Sequence, residues 1–600
     1  MSTPAPAGDA ILVFDKYGRE FQLTREHWRT QVLPGALRSH WDRPEELYAG
    51  ILQALNDGFV DEVADAVKRL RELEPDSARA AATYGFILLK AGKGEEARTV
   101  LEDHLARHGR DATVLNNLAK VYAERGDNDR VERTLWQSLE ADPNQENSCG
   151  WFEALHRERG GSAAALEAVR RVAALPGSWR ARLSLARLAL DERDLPRAMS
   201  AYREALALVG AEPPAEVLMV ITGDLGKRGY LAQSIEFAAT RFVPERHGVQ
   251  VGNNLIKAYV DSGRIAEARA LLERLFAMNR PDWKATLTFW DGLVMQAETS
   301  RSVTVGATIE MTMYVIQGPV WAHAGSPVAK LFPPAPQTGP RVVFMGSTAT
   351  IPNAPSTPQV QLSDAAGRLS RVIPLYLVEM AQFHSGAQAR ALFPWMVNNA
   401  GGSFVLTTEP PSDAEAVQRA KGGGPCDFAV VTHVKTGAEA WSATMRVLRV
   451  SDGRCIFEHE VFATPDRPDI LAAALAIEIQ RALEQHAHAK AVAPADYLPP
   501  APPHLASYLL RLEQLLAIRC ATSPAALHGV REIVEGCLHL CLDFPKSVVL
   551  RALLADVIAR MRNIRPDVVA QFQERLDLLE QEHPLEPPAQ TALHVMLKGG

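Results

Sequence analysis

The chain has 600 residues, of which 47% are hydrophobic and 22% charged, and its net charge is -7 at pH 7. This composition supports sizeable buried cores and excludes a mainly disordered chain. The acidic balance offers no general attraction to a phosphate backbone, so we expect no nucleic-acid partner. No stretch approaches the roughly 18 to 20 apolar residues of a membrane span. Six cysteines are too few for a disulfide framework, and we therefore expect a cytoplasmic protein.

Residues 1–43 predict an N-terminal cap. The segment ILVFDKYGREFQL is typical of a short strand pair or hairpin, because its apolar residues are β-branched or aromatic and interrupted by a turn. The segment LTREHWRTQVLPGAL predicts a helix that follows the hairpin.

Residues 44–298 carry a repeat of 34 residues. Glycine marks the repeat in two runs, which are Gly58, Gly92, Gly126 and Gly160, then Gly229 and Gly263. A second turn residue follows each of the first four glycines 17 residues later, namely Pro75, Gly109, Pro143 and Gly177. Two turn series with one period predict two helices per repeat. About seven copies fit, and residues 282–298 predict a closing helix.

The copy at residues 112–145 shows why each repeat is predicted to be helical. Leu115, Leu118 and Tyr122 are spaced three and four apart, which places one apolar stripe on one helix face. Gly126 then ends the first helix. A 34-residue helix–turn–helix of this pattern resembles the tetratricopeptide repeat (TPR) family. The resemblance implies a superhelical solenoid whose concave face, lined by the first helix of each repeat, binds other proteins.

The periodicity changes after residue 300, and residues 301–488 predict a mixed α/β domain. Segments rich in β-branched residues predict strands, among them VTVGATIEMTMYVIQGPVW, RVVFMGSTA, RALFPWMV and CDFAVVTHVKT. The segment AEAWSATMRVLRVSDGRCIFEHEVFA predicts two more strands, joined by a tight turn at Ser451-Asp452-Gly453. Three helices are predicted between and after the strands, the first of them capped by Ser363 or Asp364.

The end of this domain, from CDFAVVTHV through CIFEHEVFATP to LAAALAIEIQRAL, resembles the amino-terminal domain of TolB. It also resembles the related domain attached to TPR arrays in bacterial regulators, and a bacterial origin is expected. The resemblance implies an interaction module that has no catalytic residues. The family's opening strand usually runs into Leu-Pro-Phe, whereas this chain has Val343-Phe344-Met345-Gly346.

The C-terminal part follows a Pro/Ala-rich segment. Residues 489–505 predict a linker stiffened toward polyproline II. Residues 506–600 contain four helical patterns and predict a small helical bundle or degenerate repeats.

One local motif occurs in two repeats. Asn116-Asn117-Leu118-x-Lys120-x-Tyr122 recurs as Asn253-Asn254-Leu255-x-Lys257-x-Tyr259. An asparagine can donate to and accept from the backbone of an extended peptide, and a lysine one turn further on can meet a carboxylate.

In the TPR family the positions of these asparagines and lysines tend to face the concave groove. The resemblance therefore implies a peptide-binding site at Asn116, Asn117, Lys120, Asn253, Asn254 and Lys257. The alternative is that these are solvated polar residues between core positions. Additional positive charge in the same groove is assigned to Arg79, Lys90, Arg157 and Arg187.

No motif predicts a metal, a cofactor or catalysis. Cys537 and Cys541 lie one helical turn apart, but a zinc site needs about four ligands in close spacing, so two buried small residues are the better interpretation. Gly346-Ser347 lacks the second glycine and the following helix of a nucleophile elbow. His323 has no carboxylate near it in sequence to orient it as a base.

The sequence therefore predicts a protein–protein interaction scaffold that is not an enzyme, with a protein or peptide partner and no cofactor. The alternative is a regulatory protein whose α/β domain binds a small molecule. The partner and the oligomeric state are left open.

Overall fold

The computed structural model describes residues 10–302, 310–322, 325–332, 334–352, 359–360, 365–397, 403–489, 493–502, 504–521, 527 and 529–598. The chain forms two compact units, Met1–Val294 and Met295–Gly600. The first unit is a helical array preceded by a hairpin, and the second contains a mixed sheet and the C-terminal helices. This is the architecture that the sequence predicts.

The N-terminal cap is a hairpin followed by a short interrupted helix. Strands β1 (Ala10–Phe14) and β2 (Glu20–Thr24) are antiparallel. Helix α1 (Arg25–His27) then passes through a π-helical turn (Trp28–Val32) into α2 (Leu33–Ser39). The predicted single helix is interrupted because Pro34 has no backbone N–H with which to continue the α-helical ladder.

Paired helices form the array. The pairs are α3 (Pro44–Asn56) and α4 (Ala64–Leu73), α5 (Ala78–Lys90) and α6 (Gly94–His108), α7 (Ala112–Glu124) and α8 (Asn128–Ala141), the two halves of α9 (Glu146–Ala173), α10 (Trp179–Asp191) and α11 (Leu195–Val209), α12 (Ala215–Lys227) and α13 (Leu231–Ala238), and α14 (Pro244–Asp261) and α15 (Ile265–Phe276). A 3-10 turn (Pro281–Trp283) leads into α16 (Lys284–Ser302).

The turn glycines take left-handed backbone conformations, as the repeat pattern requires. Gly126, for example, has a φ of 71°, which only glycine adopts without strain. One predicted position is wrong: Gly160 has a φ of -140°, and its neighbour Gly161 makes the turn at 71°. Gly161 lies two 34-residue periods before Gly229, so the change of phase occurs inside the fourth repeat. The fifth repeat, which has no turn glycine, places Arg193 at a φ of 61° instead.

Neighbouring repeats share a hydrophobic core. Leu101, Leu135 and Phe152 come from three successive repeats, are at most 1% exposed, and belong to one hydrophobic cluster. The cluster extends from α5 to α10. Each repeat therefore buries its apolar stripe only against its neighbours, which is the packing principle of a solenoid.

The second unit contains a nine-stranded sheet. Its strands are β3 (Glu310–Gln317), β4 (Arg341–Met345), β5 (Ala349–Thr350), β6 (Gln359–Val360), β7 (Gln388–Val397), β8 (Ser403–Leu406), β9 (Phe428–Lys435), β10 (Trp441–Arg449) and β11 (Cys455–Ala463). Its helices are α17 (Ala365–Ser385), α18 (Asp413–Gly422) and α19 (Asp469–Ala487), and a 3-10 turn spans Pro327–Lys330.

Strand β4 is central to this sheet. It pairs in parallel with β7 on one side and with β9 on the other, and β9, β10 and β11 form an antiparallel meander. Val343 and Met345 pack in one cluster with residues of α18. Val342 and Phe344 alternate with them and are also fully buried, which is typical of a strand covered on both faces.

The end of β4 is joined to the middle of α17. Pro374 has no N–H and leaves the carbonyl of Ser370 without its helical partner, and the backbone N–H of Ser347 donates to that oxygen at 3.1 Å. The approach is so close that a Cβ on Gly346 would lie 2.3 Å from the same oxygen. Ser347 takes a φ of 62° to make this contact.

The C-terminal segment contains five described helices where the sequence predicts four. They are α20 (Leu505–Cys520), α21 (Val530–Asp543), α22 (Val548–Ile564), α23 (Pro566–Glu582) and α24 (Pro587–Lys598). Helix α20 packs on α17. Tyr497, within the predicted linker, is 3% exposed, so this segment is part of the packed unit. None of the described helices is both long and apolar enough to cross a membrane.

Candidate peptide-binding site

The two copies of the asparagine–lysine motif lie on α7 and α14, each the first helix of a repeat. In both copies the leucine and the tyrosine of the motif are buried, Leu118 and Tyr122 on α7, and Leu255 and Tyr259 on α14. These apolar residues anchor the helix and leave the asparagines and the lysine on the intervening positions.

The first copy uses both asparagines to join neighbouring repeats. Asn116 is 1% exposed, and its amide nitrogen donates to Ser148 Oγ at 2.9 Å in the following repeat. Asn117 is 9% exposed and donates to the carbonyl oxygen of Ala82, also at 2.9 Å, in the preceding repeat. The pair therefore connects three successive repeats, which explains its burial because buried amides need partners.

The second copy makes the same kind of connection with other partners. Asn253 accepts from Trp290 Nε1 at 2.7 Å, and Trp290 lies on the closing helix α16. Asn254 donates to Thr222 Oγ1 at 3.0 Å in the preceding repeat. Both asparagines are only partly buried, so this copy is more open than the first.

Lys120 of the first copy is partly buried beside a second lysine and an aromatic ring. Its Nζ donates to Asn117 Oδ1 at 3.0 Å and lies 5.5 Å from the ring centroid of Phe86. Lys90 reaches the same ring, with its Nζ at 5.7 Å. Burial and then the charge of Lys90 lower the pKa of Lys120. The ammonium group of Lys120 is thus partly buried and feels the charge of Lys90, which is exposed.

No carboxylate neutralises this pair: within the described part of the chain, no Asp or Glu oxygen lies within 4.0 Å of either ammonium group. Lys257, the counterpart of Lys120, is exposed and forms an ion pair with Asp261 at 2.6 Å. Lys227 is the counterpart of Lys90, but Gly223 stands at the position of Phe86. The two copies therefore differ in the availability of their positive charge.

The other predicted cations are already paired. Arg79 binds Glu45 and Glu74. Arg157 pairs with Glu153, and Arg187 pairs with Asp224. Of the four cations assigned to the groove beside the motif, Lys90 alone has no such partner among the described residues.

Sequence reasoning missed Phe86, Ser148 and Trp290 as partners of the motif. Each lies 30 to 37 residues from the group it meets, as the separations of 32 and 37 residues for Ser148 and Trp290 show. That separation is close to one repeat period. Aligning each motif with the sequences of the neighbouring repeats would therefore have identified these partners.

The residues considered for metal binding or catalysis are buried or lie outside the described residues. Cys537 and Cys541 are at most 1% exposed, and burial raises the pKa of each thiol to about 12, so they are packed core residues. Ser347 is fully buried. His323, Ser363 and Asp364 lie outside the described residues. The described residues contain no cluster of three or more His, Cys, Asp or Glu side chains arranged for a metal.

An open depression of about 660 Å³ lies on the sheet unit between α18 and the turn that follows β10. Its lining includes Asp413, Lys421 and Asp452. Asp413 already pairs with Arg446, and Asp452 with Arg449. The small-molecule alternative for the α/β domain stays a prediction.

Comparison with known proteins identifies the repeats. Residues 85–144 and 155–213 match the model of the tetratricopeptide repeat family, so the array contains tetratricopeptide repeats. PilF of Pseudomonas aeruginosa is 18% identical over 32% of this chain and 88% of its own, with a TM-score of 0.21. A tetratricopeptide repeat protein of Parabacteroides merdae is 16% identical over 44% of this chain and 94% of its own, with a TM-score of 0.19.

Yeast Tom70 is 13% identical over 44% of this chain and 57% of its own, with a TM-score of 0.32. A search of curated protein sequences gives no match. What the array binds must therefore be argued from its own side chains.

Proposed function

We propose that the protein is an interaction scaffold whose array binds an acidic segment of a partner protein at Lys90, Lys120 and Phe86. Tetratricopeptide repeats mediate protein–protein interactions, and the first helices of successive repeats form their binding surface. The observation that supports an acidic partner is the pair of lysines over one ring with no carboxylate near either of them.

An incoming carboxylate relieves the repulsion between the two ammonium groups. Burial has already removed water from around Lys120, and the carboxylate supplies the polar contact that this water would have made. The ammonium groups of Lys90 and Lys120 already lie 5.7 and 5.5 Å from the Phe86 ring centroid, so less side-chain freedom is lost on binding. Asn117 orients Lys120 by accepting from its Nζ, while its own amide nitrogen stays bonded to the carbonyl of Ala82.

In this proposal the six predicted residues have different roles. Lys120 contacts the partner, Asn117 orients Lys120, and Asn116 positions their helix through Ser148. Asn253, Asn254 and Lys257 extend the same surface toward the end of the array, where Lys257 is held by Asp261. The sheet domain, which resembles the amino-terminal domain of TolB in sequence, is proposed to add a second contact.

The test uses a fluorescent, N-acetylated hexaglutamate peptide and the full-length protein. Lys90→Gln with Lys120→Gln is expected to weaken binding by roughly tenfold or more, because a charge-assisted hydrogen bond contributes about 1.5–3 kcal/mol. Lys227→Gln with Lys257→Gln removes the same charge from equivalent positions and is the matched control. It is expected to change the affinity by less than about threefold.

Two further observations complete the design. A hexaglutamine peptide is expected to bind no better to wild type than to either variant, since it carries no carboxylate. Equal losses in the two double variants would show that bulk charge, and not the Phe86 site, attracts the peptide. Unchanged binding in the Lys90/Lys120 variant, with circular dichroism equal to wild type, would refute the proposed site.

A further inference from the structure

A fully buried acid on α17 is a second feature, remote in sequence from the array. Glu379 is 0% exposed. Its Oε1 accepts from Trp321 Nε1 at 2.9 Å, and its Oε2 accepts from Tyr508 OH at 2.7 Å and from Tyr497 OH at 3.1 Å. None of the ion pairs formed by the described residues involves Glu379, so hydrogen bonds alone balance this acid.

The three donors come from three separate segments. Trp321 follows β3, Tyr497 lies in residues 493–502, and Tyr508 lies on α20. The ring of Tyr497 packs against Phe383 of α17, with 4.2 Å between centroids. Glu379 is thus one of the points at which the C-terminal segment is bonded to α17.

The cluster accommodates both protonation states. When Glu379 is ionised, its two oxygens accept all three bonds. When it is protonated, its own hydroxyl can donate to the oxygen of Tyr497, because Tyr497 has Met380 Sδ as a second acceptor at 3.5 Å. A proton can therefore enter or leave without leaving a buried donor unpaired.

We propose that Glu379 makes the docking of residues 493–502 and α20 onto α17 depend on pH, with the docked state holding one proton more than the undocked state. The docked acid is fully buried and forms no ion pair with a described residue, whereas an undocked one is exposed to solvent. Undocking therefore releases a proton at neutral pH.

The direction of the effect follows from the proton balance. Burial raises the pKa of docked Glu379 to about 8, although the bonds from Tyr508, Trp321 and Tyr497 lower it. An exposed glutamate titrates near 4.5. Docking is consequently strongest below pH 4.5, weakens as the pH rises to about 8, and then becomes constant.

Other titratable groups around the cluster do not account for the weakening of docking as the pH rises to about 8. Burial raises the pKa of Tyr376, Tyr497 and Tyr508, and it lowers the pKa of His384. In the same interface Arg371 is paired with Glu513, and Arg519 donates to the carbonyl of Val320. On α19, Glu478 is paired with Arg481.

The test is hydrogen exchange of the full-length protein from pH 5 to pH 9, followed by mass spectrometry and corrected for the chemical exchange rate. Protection of α20 is expected to fall by up to about tenfold per pH unit between pH 5 and 8 and to level off above. Strand β9 serves as the internal reference for global unfolding and is expected to keep its protection.

Glu379→Gln is expected to remove the pH dependence of α20, because the amide does not titrate. The matched control is Glu513→Gln, which is expected to lower protection at every pH and to preserve the wild-type slope. The proposal would be overturned if the protection of α20 did not change with pH in the wild type. It would also be overturned if that protection fell with pH in Glu379→Gln as it does in the wild type.

Tyr508→Phe provides an independent readout if Glu379→Gln does not fold. It removes a donor to the ionised acid, so the pH at which protection levels off is expected to move upward. An unchanged levelling point would count against Glu379 as the group responsible.

Discussion

The motif that begins at Asn116 and its copy that begins at Asn253 occupy equivalent helices, but their lysines have different neighbours. Lys120 shares the ring of Phe86 with Lys90, whereas Lys257 is exposed and paired with Asp261. The partly buried Lys120 therefore differs from the exposed Lys257 in having an aromatic ring, Phe86, beside it in the preceding repeat. Identical motif residues do not make equivalent sites.

The asparagines differ less, because both pairs join neighbouring repeats. Asn116 reaches the following repeat, while Asn117 and Asn254 reach the preceding one. The shared part of the motif thus holds the solenoid together, and the differing part offers charge. The predictions below test these two roles separately.

The largest effect is expected for the buried asparagine. Asn116→Ala should destabilise the array by about 2–3 kcal/mol, because it leaves a cavity and removes the bond to Ser148. Asn253→Ala should cost about 1–2 kcal/mol, since its site is more open and Trp290 loses one bond. Local stability would be measured by hydrogen exchange of α7 and α14, and equal costs would contradict the comparison.

A smaller effect, about tenfold in affinity, is expected from pH. Lys120 binds an anion only when protonated, and burial together with Lys90 lowers its pKa below the ordinary 10.5. Affinity for the hexaglutamate peptide, measured from pH 7 to 10, should therefore begin to fall at a lower pH than it would with an ordinary lysine.

Lys120→Arg is the variant to compare, because arginine stays charged throughout that range. It should keep its affinity up to pH 10. Fluorescence anisotropy at constant ionic strength would measure both proteins, and parallel losses in the two would assign the pH effect to another group.

The smallest effect is a gain, at most a doubling of the peptide bound at saturation. Gly223→Phe with Asp261→Asn gives Lys227 and Lys257 the surroundings of the first copy, and Gly223 has room because a Cβ there meets only Asn254 at 3.9 Å. Calorimetry should detect a second equivalent of bound peptide. A stoichiometry that stays at one would show that the added ring and the unpaired lysine are not sufficient to form a second binding site.

The array was predictable because its signals are local and periodic. The turn glycines and the apolar stripes repeat within each 34 residues, and the single error, Gly160 in place of Gly161, concerns two adjacent glycines of which either can turn left-handed. Helix α24, which begins at Pro587 and Pro588, was not among the four predicted helices. Proline in the first turn favours the start of a helix.

The surroundings of the site could not be predicted to the same degree. Lys120 and Lys257 have the same local sequence, and Phe86 meets Lys120 only after the repeats stack. The buried role of Tyr497 was hidden in the same way, because its acceptor Glu379 lies 118 residues earlier. A Pro/Ala-rich stretch predicts an open linker unless its one aromatic residue is known to have a partner.

The position of Glu379 also has a consequence for the order in which the protein folds during synthesis. Tyr508, which closes the cluster, lies 129 residues after Glu379. At about 5–20 residues per second the ribosome needs roughly 6 to 26 s to make that stretch. The array can stack while it emerges, but the face of α17 around the acid stays open until the last helices arrive, so we expect this face to be where chaperones engage the nascent chain.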